Sequence, residues 1–140
     1  MFGPRWDKDP NFKKYKSVIK VKDFTHKRYT NIIKKAKIAL CLFSDENKDT
    51  ITARSIEIPA IGTFMMSYKT LAMKKIFKEN KEVVFFKNYL ECVNKCNYYL
   101  SNINKLNQIA RNANIKVTQI IKNNNHEFVK KIITNVFNNK

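Results

Sequence analysis

Apolar residues in this chain come in short, dense runs set among lysine and asparagine. Ile38-Ala39-Leu40-Cys41-Leu42-Phe43 is unbroken, which suits a strand buried on both faces, as in a parallel sheet. Thr63 to Ser67 and Val83-Val84-Phe85-Phe86 read as two further strands. Between these runs the spacing turns helical. Thr25 can cap a helix reaching about Lys35, with Tyr29, Ile32, Ile33 and Ala36 on one face. Thr50 or Thr52 can cap a short helix ending near Pro59 to Gly62, and Leu71 to Glu79 forms another, followed by a turn at Asn80-Lys81. Tyr89 to Leu100 is helical, with Leu90, Val93, Tyr98 and Leu100 apolar. Helices over Lys105 to Ala113 and His126 to Phe137 follow, separated by a break at Asn123-Asn124-Asn125. The first ten residues predict no full strand or helix, and basic Lys13 to Phe24 holds a small apolar core at Val18, Ile19 and Val21.

Strand–helix alternation at this spacing predicts an α/β fold, with right-handed βαβ units, a parallel sheet flanked by helices, and a helical C-terminal segment. Ligands in such sheets bind beyond the carboxyl ends of the strands. With two glycines in 140 residues, the glycine-rich dinucleotide fingerprint and the P-loop are both excluded.

Composition narrows the partners. A hydrophobic fraction of 44% argues for a packed core. No apolar run reaches the ~20 residues that span a bilayer, and the start lacks a signal-peptide pattern, so a cytoplasmic protein without a transmembrane segment is expected. The formal charge of +17 raises a nucleic-acid or polyanion-binding module as an alternative. Against it, only Arg5, Arg28, Arg54 and Arg111 are arginine, whereas phosphate and base recognition favours the planar guanidinium fork. Lys, Asn and Ile also share A/T-rich codons, which accounts for much of the charge without a nucleic-acid partner. Cys41, Cys92 and Cys96 lack the fourth ligand a structural zinc site needs and read as buried, reduced thiols. His26 and His126 have no partner pattern.

The chemistry concentrates in Asp49 to Met66, DTITARSIEIPAIGTFMM, and in the loop before it, which carries Ser44, Asp45, Glu46, Asn47 and Asp49. A helix starting near Thr52 presents free N–H groups and a positive dipole end, a setting for phosphate. Arg54 in its first turn opposes the dipole. Its presence fits either an anion to be held or an ion pair with Asp49 or Glu57. Glu57 follows one turn later on an otherwise apolar helix, where a carboxylate can accept two hydrogen bonds from a ribose diol or simply pair with Arg54. Pro59 is expected to end the helix, and Gly62 to permit a left-handed cap and close backbone approach.

From Lys37 to about Ala113 the chain resembles the C-terminal region of GT-B glycosyltransferases, particularly the spore-protein CgeB/YkvP-like group. The resemblance rests on KIALCLFSDENKDTITARSIEIPAIGTFMMS, KKIFKENKEVVFF and YLECVNKCNYYLSN, with EIPAIGTFMM matching the family's E-x-x-A-x-G and following apolar strand. Asp49 stands eight positions before Glu57, where many related retaining enzymes carry the first Glu of an E-x7-E motif, one methylene longer. The resemblance implies a partial Rossmann-like domain that binds a nucleotide-diphosphate sugar, with no other cofactor and no obligatory metal. In it, Glu57 holds the ribose hydroxyls, Arg54 and the helix start at Thr52 approach the diphosphate, Asp49 lies near the sugar, and Asn47 and Gly62 lie in loops near the donor. It further implies a single truncated domain over 1–140, with the core match at 37–113 and a helical tail at 114–140. Acceptor recognition is then expected from a separate N-terminal glycosyltransferase domain or from a homo-oligomer, and the chain is expected to be inactive alone.

Overall fold

A computed structural model describes residues 2–3, 8, 10–18, 20–21, 26–43 and 48–123. The expected helix at His126 to Phe137 and the loop positions Ser44 to Asn47 lie outside these residues. The chain forms two compact units, Met1–Ile32 and Ile33–Lys140.

In the first unit, β1 (Phe2–Gly3) pairs in parallel with β2 (Lys20–Val21), so the start of the chain does contribute a two-residue strand. One helical turn, α1 (Phe12–Tyr15), lies between them. Helix α2 (His26–Lys35) begins in this unit and ends in the second, with Lys34 and Lys35 in its last turn, where cations suit the dipole.

The second unit is built on three parallel strands in the order β3 (Ala39–Cys41), β4 (Met65–Tyr68), β5 (Val84–Phe86). The register pairs Ala39 with Met65, Cys41 with Ser67, and Met66 with Val84. Met65, Met66 and Ser67 of the central strand are all buried, which is why its sequence reads as a continuous apolar run.

Alternate strand positions feed two cores. One holds Ala39, Cys41, Met65, Val83 and Phe85 together with Ile58 of α3 (Arg54–Ile61), Met73 of α4 (Leu71–Ile76) and Phe77. The other holds Phe64, Met66, Val84 and Phe86 under Tyr99 of α5 (Tyr89–Ser101) and Leu106, Ile109 and Ala110 of α6 (Ile103–Asn123). Both crossover helices, α3 and α4, cover one face, as right-handed connections moving steadily in one direction require.

Caps set the helix ends. Thr70 Oγ1 accepts the Met73 N–H at 3.1 Å and donates to Thr50 O at 2.7 Å, tying the loop after β4 to the loop before α3. At α5, Asn88 Oδ1 accepts the Glu91 N–H at 2.9 Å while the Glu91 carboxylate accepts the Lys87 N–H at 2.7 Å, a reciprocal cap close to a capping box. Lys95 hydrogen-bonds the same carboxylate and holds its pKa below the usual value.

Several boundaries differ from expectation for identifiable reasons. Pro59 does not end α3. It lies inside the helix, which continues to Ile61 and stops at Gly62. Proline removes one donor in a helix of eight residues, and the Schellman geometry that follows sets the true end: the Gly62 N–H reaches Pro59 O, the Thr63 N–H reaches Ile58 O, and Gly62 is left-handed at φ 87°. Asn114 on α6 donates to Pro59 O and Ala60 O, both at 2.9 Å, satisfying carbonyls that a helix end leaves open.

Helix α5 buries Cys92, Cys96 and Tyr99 against the strands, while Leu90, Val93, Tyr98 and Leu100 are exposed. Cys92 and Cys96 are only half-buried. Helix α6 runs ten residues beyond the expected Ala113, because Leu106, Ile109, Ala110, Ala113 and Val117 continue one stripe at helical spacing. Val117 joins the α3 core while Leu106 joins the α5 core, so α6 passes from one side of the sheet to the other.

Gly62 gives the cleanest test of this architecture. A Cβ there meets nothing closer than Asn114 Nδ2 at 3.9 Å, so steric room is not the issue and the positive φ alone opposes a side chain. Gly62→Ala is expected to destabilise the protein by about 1–2 kcal/mol, read from urea unfolding. An unchanged midpoint contradicts the left-handed cap.

Candidate functional site

The three parallel strands end together at Cys41, Tyr68 and Phe86. Helix α3 starts at this edge, since it leaves β3 and returns to the opposite end of β4. Ahead of it, Lys48 is left-handed at φ 51°, Asp49 is half-exposed, and Ile51 is anchored in the core.

The start of α3 has an unusual construction. Neither Thr50 nor Thr52 caps it. The N-cap position is Ala53, with no side-chain cap. Thr50 is instead held through its carbonyl by Thr70, and the Thr52 hydroxyl lies 3.9 Å from Cys41 Sγ. Ser55, which is completely buried, ties down the segment entering the helix instead. Its Oγ accepts the Thr52 N–H at 3.3 Å and lies 3.5 Å from Cys41 Sγ.

The helix then closes with Ser55 N–H to Thr52 O, and with Ile56 and Glu57 N–H to Ala53 O, each at 3.0 Å. Among the described residues, the N–H groups of Ala53 and Arg54 have no acceptor. Both residues are exposed. Open donors of this kind are what a helix start leaves, at the positive end of its dipole.

Arg54 is the first helical residue, and Glu57 lies one turn further along the same face. The ion pair between them left open by the sequence does not form. Among the described residues, Arg54 pairs with neither Glu57 nor Asp49, and no hydrogen bond engages either carboxylate. The structure therefore brings Thr52, Arg54 and Glu57 onto the start of one helix, with Asp49 in the segment leading into it. Asn47 lies outside the described residues. Gly62 sits at the far end of α3, about 12 Å from the helix start at 1.5 Å per residue.

Cys41, Ser55 and Ser67 form a buried polar group beneath this edge that sequence reasoning missed. The one available signal was a serine on the otherwise apolar face of α3. Burial pushes the Cys41 thiol pKa up, partly offset by the Ser55, Thr52 and Ser67 hydroxyls and by the Arg54 charge. Burial likewise raises Cys96, and raises Cys92 from 9.0 to about 11. These thiols are held protonated. Among the described residues no group of three His, Cys, Asp or Glu could hold a metal. A concavity of about 430 Å³ lined by Ser101 to Lys105 lies at the α5–α6 junction, a full length of α5 away from the strand ends.

A family model described as glycosyl transferase-like matches residues 1–131. The chain belongs to this glycosyl transferase-like family. No curated protein and no solved structure matches it. The match covers both compact units and includes the start of α3. No helix among the described residues is long and apolar enough to cross a membrane.

The raised thiols predict a pH dependence. Unfolded thiols ionise near their ordinary value, whereas the folded protein keeps them protonated. Their contribution to stability is therefore complete below pH 9.0 and is lost as pH rises toward about 11. Urea midpoints should fall more steeply across that window in the wild type than in Cys92→Ala. Parallel profiles contradict the assignment.

Proposed function

We propose that the start of α3 binds the nucleotide-diphosphate sugar of a glycosyl transfer reaction. One observation carries this reading: free N–H groups at Ala53 and Arg54, an unpaired Arg54 guanidinium and an unpaired Glu57 carboxylate share one helix start, in a chain of a glycosyl transferase-like family.

In this reading the diphosphate lies against the Ala53 and Arg54 N–H groups, and the Arg54 guanidinium bridges its oxygens. As the bond from the anomeric carbon to the distal phosphate oxygen breaks, negative charge grows on that phosphate. Fixed donors and the helix dipole are already directed at it, so they stabilise the transition state without reorganising. Glu57 accepts hydrogen bonds from the two ribose hydroxyls and sets the nucleoside end in register. Asp49 faces the sugar from the loop. The assignment gives these residues the donor half of the reaction, in the GT-B manner of the CgeB-like group. The acceptor site then belongs to a second domain, and these residues do not turn over substrate without it.

The +17 charge supports a second reading, a polyanion-binding surface, which makes an opposite prediction. Calorimetric titration with UDP, GDP and ADP and their sugar conjugates separates the two. Donor binding predicts affinity for one nucleotide that weakens roughly tenfold or more in Glu57→Ala and in Arg54→Ala, the worth of a hydrogen bond to a charged group. Affinity retained in both variants overturns the site. Binding confined to DNA or RNA, steeply weakened by salt and indifferent to Glu57, favours the polyanion surface instead.

A further inference from the structure

The face of the sheet under α5 holds a cluster of sulfur atoms that the donor reading does not use. Cys92 and Cys96 lie one turn apart on α5, so their Cβ atoms are about 5–6 Å apart on one side of the helix. Both pack on the core that contains Met66 of β4, and Cys96 Sγ lies 3.7 Å from Met66 Sδ. The two thiols are also close enough for each to affect the other's hold on its proton. Three sulfurs from two elements therefore meet between α5 and the central strand.

Their placement runs against size. Leu90 and Val93 are exposed on α5, while the side that packs on the strands carries two small thiols. Cysteine packs as a small hydrophobe, so filling alone would be served equally well by alanine or valine. What the thiols add is a donor set. Cys92 and Cys96 are half-buried, which leaves them within reach of an ion from solvent. Met66 is fully buried, so the third donor is held in place behind them.

Donor type and number select the ion. Thiolate and thioether are soft ligands that suit monovalent copper, whereas carboxylates and carbonyls suit magnesium, calcium and manganese. A structural zinc site takes four ligands, and among the described residues no group of three His, Cys, Asp or Glu stands here. Monovalent copper is satisfied by two or three sulfurs. With metal–sulfur bonds of about 2.3 Å, two ligands of a trigonal centre lie about 4 Å apart. Cys96 Sγ and Met66 Sδ, at 3.7 Å, already stand near that separation.

We propose that Cys92, Cys96 and Met66 form a binding site for a single cuprous ion between α5 and β4. Each thiol gives its proton to water as its sulfur bonds copper. The thioether contributes a lone pair and loses no proton, and copper stays monovalent throughout. Two thiolates and one Cu(I) leave a single net negative charge, which a chain of formal charge +17 accommodates. The site lies across the sheet from α3 and stands independently of the donor reading.

The test titrates Cu(I) anaerobically into the reduced full chain against a chromogenic Cu(I) chelator, and reads the bound ion by X-ray absorption. Wild type should hold one Cu(I) per chain, with three sulfur neighbours and no nitrogen or oxygen. Cys92→Ala and Cys96→Ala should each abolish this complex. Cys41→Ser, which removes the thiol of the other core, should leave it intact. Met66→Leu conserves core volume. It should cut the shell to two sulfurs and weaken binding about tenfold to a hundredfold, the scale on which altered surroundings change metal affinity. Urea unfolding identifies any variant that fails to fold, and the sulfur count in wild type decides the matter without one. Loss of copper from wild type to the chelator overturns the proposal, as does a wild-type shell of two sulfurs or one with nitrogen or oxygen. Copper retained equally in Cys96→Ala, or an unchanged shell in Met66→Leu, overturns it too.

Discussion

Two parallel strands cannot be joined by a tight turn, and the arrangement of the larger unit depends on that constraint. β3 and β4 lie side by side with Ala39 opposite Met65, so the chain must travel from the end of one strand back to the start of the other. Helix α3 makes that passage with its N-terminus at the edge where Cys41, Tyr68 and Phe86 end. The same geometry that buries Met65 and Met66 on opposite faces thereby brings a positive helix end to the edge where open α/β sheets receive ligands. Packing fixes α3 at both ends. Ile51 and Ile58 join the core, while Asn114 and Gly62 close the far end.

The start of α3 departs from what stability alone would select. Its N-cap position is alanine, a cation occupies the first helical residue, and two donors have no acceptor among the described residues. Replacing a good cap by alanine typically costs about 1 kcal/mol, and a misplaced cation adds a few tenths more. An anion at this helix end reverses the sign of each term. It accepts the free donors, neutralises the arginine and complements the dipole. An alanine cap, a first-turn cation and open donors thus meet at one helix start.

Much of this was legible in the residues themselves. The three apolar runs became the three strands, and their alternation with helices led to the parallel sheet. The residues that escaped the reading share a cause: their roles depend on neighbours distant in sequence. Pro59 looks like a terminator from local rules, yet α3 runs on to Ile61, where left-handed Gly62 stops it and Asn114, far along the chain, bonds the Pro59 and Ala60 carbonyls. On α5 the thiols read as buried, Cys92 and Cys96, pack with Tyr99 along one side of the helix but are only half-buried, while Leu90 and Val93 fall outside that side. Thr50 and Thr52 had the chemistry of caps, but Thr70 and Cys41 engage them elsewhere. At the site, Arg54 and Glu57 were readable from spacing, whereas Ser55 acquires its role only from its contact with the strand below.

Amide hydrogen exchange across the whole chain, with and without the UDP-sugar, GDP-sugar or ADP-sugar that binds, tests the central claim most directly. The account predicts that bound nucleotide sugar slows exchange most at the Ala53 and Arg54 amides, with weaker protection spreading to Asp49 and Glu57. Protection centred on another element, such as the lysine-bearing face of α4 or the α5–α6 junction, with Ala53 and Arg54 unchanged, would contradict it.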